Sequence, residues 1–102
     1  MASSVSEESN STKLPSELCL KHAAKLAVVD DKPVMFDYWV DSLEKKCFIG
    51  VKEGDGEKLL VKDEDQYTSP ISKIYKVNTE YLICTENSIY IVDDSVATRR
   101  IS

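Results

Sequence analysis

No run of apolar residues in this sequence approaches the ~20 needed by a membrane-spanning helix, so nothing in it reads as a transmembrane segment. Glycine is scarce as well. With three glycines in the whole chain, no glycine-rich loop exists to cradle a phosphate. Histidine occurs once, and the three cysteines, Cys19, Cys47 and Cys84, stand far apart. A zinc site needs close Cys or His pairs, and only Cys19 with His22 forms one, so no metal and no cofactor is expected. Isolated thiols beside apolar neighbours read as buried and reduced, which fits an intracellular compartment. The opening, MASSVSEESNSTK, lacks the basic start and apolar stretch of a secretory signal and the arginines of a transit peptide. The expectation is an intracellular protein that is not secreted, and Asn10-Ser11-Thr12 then has no route to glycosylation.

Basic charge is also in deficit. Thirteen Lys and Arg against eighteen Asp and Glu leave a net charge of −5. Nucleic-acid affinity comes mainly from cations neutralising phosphates, so this balance argues against it. Lys45-Lys46 and Arg99-Arg100 are the only adjacent basic pairs, and each reads as a solvated turn or tail.

What is present suits one globular domain. The chain has 102 residues, 42% apolar and 30% charged. Residues 1–13, rich in Ser, Glu and Asn, read as a disordered tail, and 14–102 as a single domain. Leu14-Pro15-Ser16-Glu17 is a helix start, with a capping hydroxyl and an acid in the first turn. The spacing predicts a helix over 16–29 that places Cys19, Leu20, Ala23, Leu26 and Ala27 on one face and ends before Pro33. Val34–Val40 alternates as a strand, which sends Val34, Phe36, Tyr38 and Val40 inward and turns Trp39 outward beside Asp37 and Asp41.

A hairpin follows, Cys47–Val51 with Lys58–Lys62, turned by Gly54-Asp55-Gly56. After the acidic loop Asp63–Pro70 comes the clearest signal in the chain. Ile71–Val77, Tyr81–Thr85 and Ile89–Val92 are β-branched and aromatic runs separated by turn formers, a β-meander. The tail from Asp93 adds a short edge strand at its end. The fold class is therefore α+β, mainly β. An N-terminal helix precedes a five- or six-stranded antiparallel meander, either a small barrel or a helix-covered sheet. The expected core is Phe36, Tyr38, Ile49, Val51, Leu59, Val61, Tyr75, Ile83 and Ile91, with Leu20, Ala23 and Ala27 of the helix.

No complete catalytic set emerges. Cys19 and His22 are neighbours on a helix surface, but no third group orients the imidazole. Asp63, Glu64 and Asp65 lie in a polar loop where carboxylates stay ionised, and they do not follow the alternating pattern of a calcium loop. Ser4-Val5-Ser6-Glu7 and Arg99-Arg100-Ile101-Ser102 have the form of short phosphorylation motifs.

The run LPSELCLKHAAKLAVVDDKPVMFDYW, followed by GVKEGDGEKLLVKDEDQYTSPISKIYKV and TEYLICTENSIYIV, resembles small proteins of large nucleocytoplasmic DNA viruses across residues 13–92. The resemblance implies a viral or virion-associated protein acting in a host cell. It brings no activity and no site residue.

The functional expectation is a non-enzymatic interaction or structural module that presents its sheet to a protein partner, with self-association open. Partner-binding candidates are Trp39, Asp37, Asp41 and Tyr67. An indole sharing a face with two carboxylates is either covered by the N-terminal helix or serves as an anchor for a partner. The alternatives are a small enzyme using Cys19 with His22, and single-strand binding through Trp39 and Tyr67.

Overall fold

The computed structural model describes residues 13–101. Residues 1–12 of the tail expected over 1–13, and the serines of both phosphorylation motifs, Ser4, Ser6 and Ser102, lie outside them. Lys13 itself belongs to the fold, since its carbonyl accepts the indole N–H of Trp39 at 2.8 Å.

Helix α1 is Glu17–Asp30. Ser16 adopts extended backbone and its Oγ accepts the Cys19 N–H at 3.2 Å, satisfying one of the donors a helix start leaves open. Asp31, in the left-handed region at φ 56°, ends the helix by donating its N–H to the Ala27 carbonyl. Pro33 then delivers a strand of two residues, β1 (Val34–Met35), which lies parallel to β7 (Ile89–Asp93).

The strand expected over 34–40 stops there. Phe36 and Val40, both expected inward, are 51% and 45% exposed, and Trp39–Leu43 forms a one-turn helix, α2. The alternation of VMFDYWV misleads because Tyr38 and Trp39 serve different cores, and a helical turn delivers both. Tyr38 enters a cluster with Ile49, Leu60, Ile83 and Val92, whereas Trp39 joins Cys19, Ala23, Leu82 and Ile91. Trp39 is therefore 3% exposed rather than outward-facing.

The hairpin is as read: β2 (Phe48–Lys52) pairs antiparallel with β3 (Lys58–Asp63), Phe48 opposite Val61 and Val51 opposite Lys58. Of the two turn glycines only Gly56 takes positive φ, at 76°, and the Asp55 carboxylate accepts the Glu57 N–H at 2.9 Å. The acidic loop contains a short strand, β4 (Gln66–Tyr67), folded back on β3. The meander is present as β5 (Ile71–Val77), β6 (Glu80–Thr85) and β7, antiparallel throughout. The final strand, β8 (Ala97–Ile101), pairs with β2.

Among the described residues eight strands build two separate, unclosed sheets, β1-β7-β6-β5 and β4-β3-β2-β8. The barrel is corrected, since neither sheet closes; the antiparallel meander holds in part, as β5-β6-β7 of a helix-covered sheet. Each sheet is mixed, because β1 joins β7 and β8 joins β2 in parallel. The layers run α1, first sheet, second sheet. One face of the first sheet packs Leu82, Cys84, Ile89 and Ile91 against α1, and the other packs Ile83 and Val92 against Ile49 and Leu60 of the second. Leu60, Ile83, Ile89, Ile91 and Val92 are fully buried, each worth ~1.5–3 kcal/mol of transfer free energy.

Most of the expected core holds. Tyr38, Ile49, Leu59, Val61, Ile83, Ile91 and Ala23 are buried, and Leu20, Ala27 and Val51 partly so. Tyr75 is the second exception after Phe36, at 38% exposure on the edge strand β5.

Candidate functional site

The outer face of the second sheet carries a groove of ≈ 740 Å³. Its construction follows from strand parity. In β3, Leu60 turns inward to the first sheet, so Leu59 and Val61 turn outward and floor the groove. Phe48 stands opposite Val61 on β2, and Tyr67 opposite Val61 on β4, 59% exposed. At the other end Ile101 of β8 lies across Gly50, where a Cβ would come within 2.9 Å of the Ile101 Cδ1. The missing side chain at Gly50 makes room for Ile101 to lie flat.

The rim is charged with both signs. Because β2 and β3 run antiparallel, Lys52 and Asp63, the last residues of each, lie at opposite ends of the sheet. Arg100 lies with Lys52 at one end, Glu64 with Asp63 at the other, and all four line the groove. Lys52 also reaches Glu57 at 3.6 Å, and the Arg99 guanidinium sits 4.8 Å from the Phe48 ring centre.

Of the four residues expected at a partner site, only Tyr67 reaches this groove. Trp39 is buried under α1. Asp41 pairs with Lys62 at 3.1 Å, a residue whose ammonium also lies 4.6 Å from the Tyr38 ring centre on the inner side. Asp37 is exposed on the turn before α2. Phe48, Arg100 and Ile101 escaped sequence reading because the groove exists only once β8 has returned beside β2.

The Cys19–His22 pair separates on α1. Cys19 is fully buried and His22 exposed. Burial, with the Glu80 carboxylate adding to it, pushes the Cys19 thiol from 9.0 up to about 11. Burial likewise takes Cys47 up to about 11, and it raises Cys84. At neutral pH a thiol at 11 is ionised to about one part in ten thousand, too little for a nucleophile. The native chain at pH 8 is therefore expected to react with Ellman's reagent at least ~100-fold more slowly than the denatured chain. One thiol reacting at the denatured rate in the native protein would reveal an open cleft at that cysteine.

The acids Asp63, Glu64 and Asp65 are exposed, and the Asp63 Oδ1 accepts the N–H groups of Asp65 (2.7 Å) and Gln66 (3.0 Å) to shape the turn into β4. Among the described residues no three His, Cys, Asp or Glu side chains converge as a metal site would require. Nor is any helix among them long and apolar enough to cross a membrane. The chain matches no protein-family model, no curated protein and no solved structure.

Proposed function

We propose that this chain is a non-enzymatic interaction module that works through the outer face of its second sheet, and that the partner seated there is a second copy of the chain. The observation that carries the reading is the groove itself: a floor of Leu59, Val61 and Ile101 between the aromatic side chains Phe48 and Tyr67, the last 59% exposed. Exposed apolar grooves with polar rims are what interaction sites present. The charges favour self-pairing. A two-fold interface must be complementary to itself. An axis crossing the strands sets the Lys52 and Arg100 end of one copy on the Asp63 and Glu64 end of the other. The setting we propose with it, a viral protein acting inside a host cell or carried in the virion, rests on the resemblance of residues 13–92.

Sedimentation velocity tests the assignment. The chain at about 10–100 µM is expected to sediment as a dimer. Arg100→Glu should yield monomer, and Arg100→Glu with Glu64→Arg should restore the dimer. A monomer at every concentration overturns the assignment, as does a dimer indifferent to Arg100→Glu and to Tyr67→Asp. Single-stranded nucleic acid bound with steep salt dependence, and lost in Tyr67→Ala, would move the face to that class instead.

A further inference from the structure

We propose that the free edge of β5, with the flank of α1 above it, accepts an added β-strand from an acidic protein partner. The surface belongs to the first sheet and is separate from the groove just described.

The edge comes first. β5 is the last strand of its sheet and pairs only with β6. Among the described residues, none of 73–77 makes a backbone hydrogen bond outside that ladder. Alternate N–H and C=O groups along this stretch are therefore open to another chain, the arrangement that strand addition uses.

A groove of ≈ 610 Å³ runs beside the edge and would hold alternate side chains of the added strand. One wall is β5. Its register sets Tyr75 opposite Leu82, whose side chain packs in the core beneath α1, so Tyr75 and Val77 face the helix side. The other wall is the α1 stripe Leu18, His22, Lys25 and Val29, which recur at helical spacing on the flank nearest β5. Leu18 and Val29 are 49% and 69% exposed, large apolar surfaces for a folded helix to leave in water.

Charge selects the occupant. The chain is acidic, at −5, yet this groove is lined by Lys25, Lys76 and His22, with Lys73 on the same strand face as Tyr75. The one acid paired with any of these cations among the described residues is Asp94, 3.5 Å from Lys76. Lysines along a free edge repel a second copy of that edge. The same lysines attract a strand whose groove-facing side chains, every second residue, are apolar and acidic in turn.

The probe is a synthetic peptide about seven residues long to match β5, with valine and glutamate in turn at its alternate, groove-facing positions and threonine between them, titrated against the full chain by calorimetry. Saturable binding is expected, and a lysine-for-glutamate version should bind at least ~10-fold more weakly. Methylating alternate backbone nitrogens on the pairing side should cost a similar factor. Lys25→Glu with Lys73→Glu, both exposed substitutions expected to leave the melting curve in place, should weaken binding ~10-fold or more. Absence of binding overturns the proposal, as does equal binding of the lysine peptide or indifference to backbone methylation. Dimerisation through this edge, abolished by a proline at Tyr75, or binding of a nucleic acid in place of the acidic peptide would also overturn it.

Discussion

Replacing Trp39 by alanine is expected to remove about 3–5 kcal/mol of stability, out of the ~5–15 kcal/mol typical of a domain. The indole is 3% exposed and packs with Cys19 and Ala23 of α1 and Leu82 and Ile91 of the first sheet. It also ties down the segment before the helix, because its N–H donates to the Lys13 carbonyl at 2.8 Å. Two separate contributions can therefore be measured. Trp39→Phe keeps most of the apolar volume and removes the donor, at a cost of about 1–2 kcal/mol. Trp39→Ala adds the cavity. Urea denaturation of both variants should show that order, with unchanged dimerisation wherever the fold survives. Two variants within ~0.5 kcal/mol of the parent would mean the indole is a surface group after all. A stable Trp39→Phe that no longer dimerises would restore its role as an anchor.

Why sequence reading turned this residue outward is instructive. Alternation assumes one buried face per strand. Here the first sheet lies between α1 and the second sheet, so β6 and β7 are buried on both faces. Apolar content was legible, but the face was not. The meander was readable because its turns are local. Asn78 takes φ 59° between β5 and β6, and the Thr85 hydroxyl accepts the Asn87 and Ser88 N–H groups between β6 and β7. Helix α1 was readable for the same reason, from its caps.

Parallel pairing leaves no such trace. β1 meets β7, and β2 meets β8, across about half the length of the chain, with no local residue marking the junction. The candidate groove inherits that difficulty. Tyr67 stands out as an aromatic in an acidic loop. Phe48, Arg100 and Ile101 become a site only through the β2–β8 pairing. The α1–β5 groove is hidden differently: helical spacing sets Lys25 on the polar face and His22 at its boundary, and gives Leu18 and Val29 no place in the core.

Glu80 is the residue with the largest effect that sequence reading passed over, because in Asn78-Thr79-Glu80 it looks like a turn acid. Only 1% exposed, it opens β6, and its carboxylate accepts the Ser16 N–H at 3.1 Å, the Ser16 hydroxyl at 2.9 Å and the Thr79 hydroxyl at 3.3 Å. Ser16 in turn caps α1, so one side chain fixes the helix start against the first sheet from 64 residues away. A buried carboxylate persists only where donors satisfy it. Removing it reverses the problem, leaving the Ser16 donors dry and unpaired. Glu80→Ala is thus expected to cost about 2–4 kcal/mol. Glu80→Gln keeps the shape and one accepting oxygen but points an amide donor at groups that are donors themselves, so about 1–2 kcal/mol should be lost. Ser16→Ala alone removes the cap and one partner and should fall between them. The coupling is the decisive measurement. In a double-mutant cycle, Ser16→Ala with Glu80→Ala should cost clearly less than the sum of the single changes, since once the carboxylate is gone the serine hydroxyl has lost its acceptor. Strict additivity would mean that the two residues stabilise the fold independently and that the helix is not anchored through this contact.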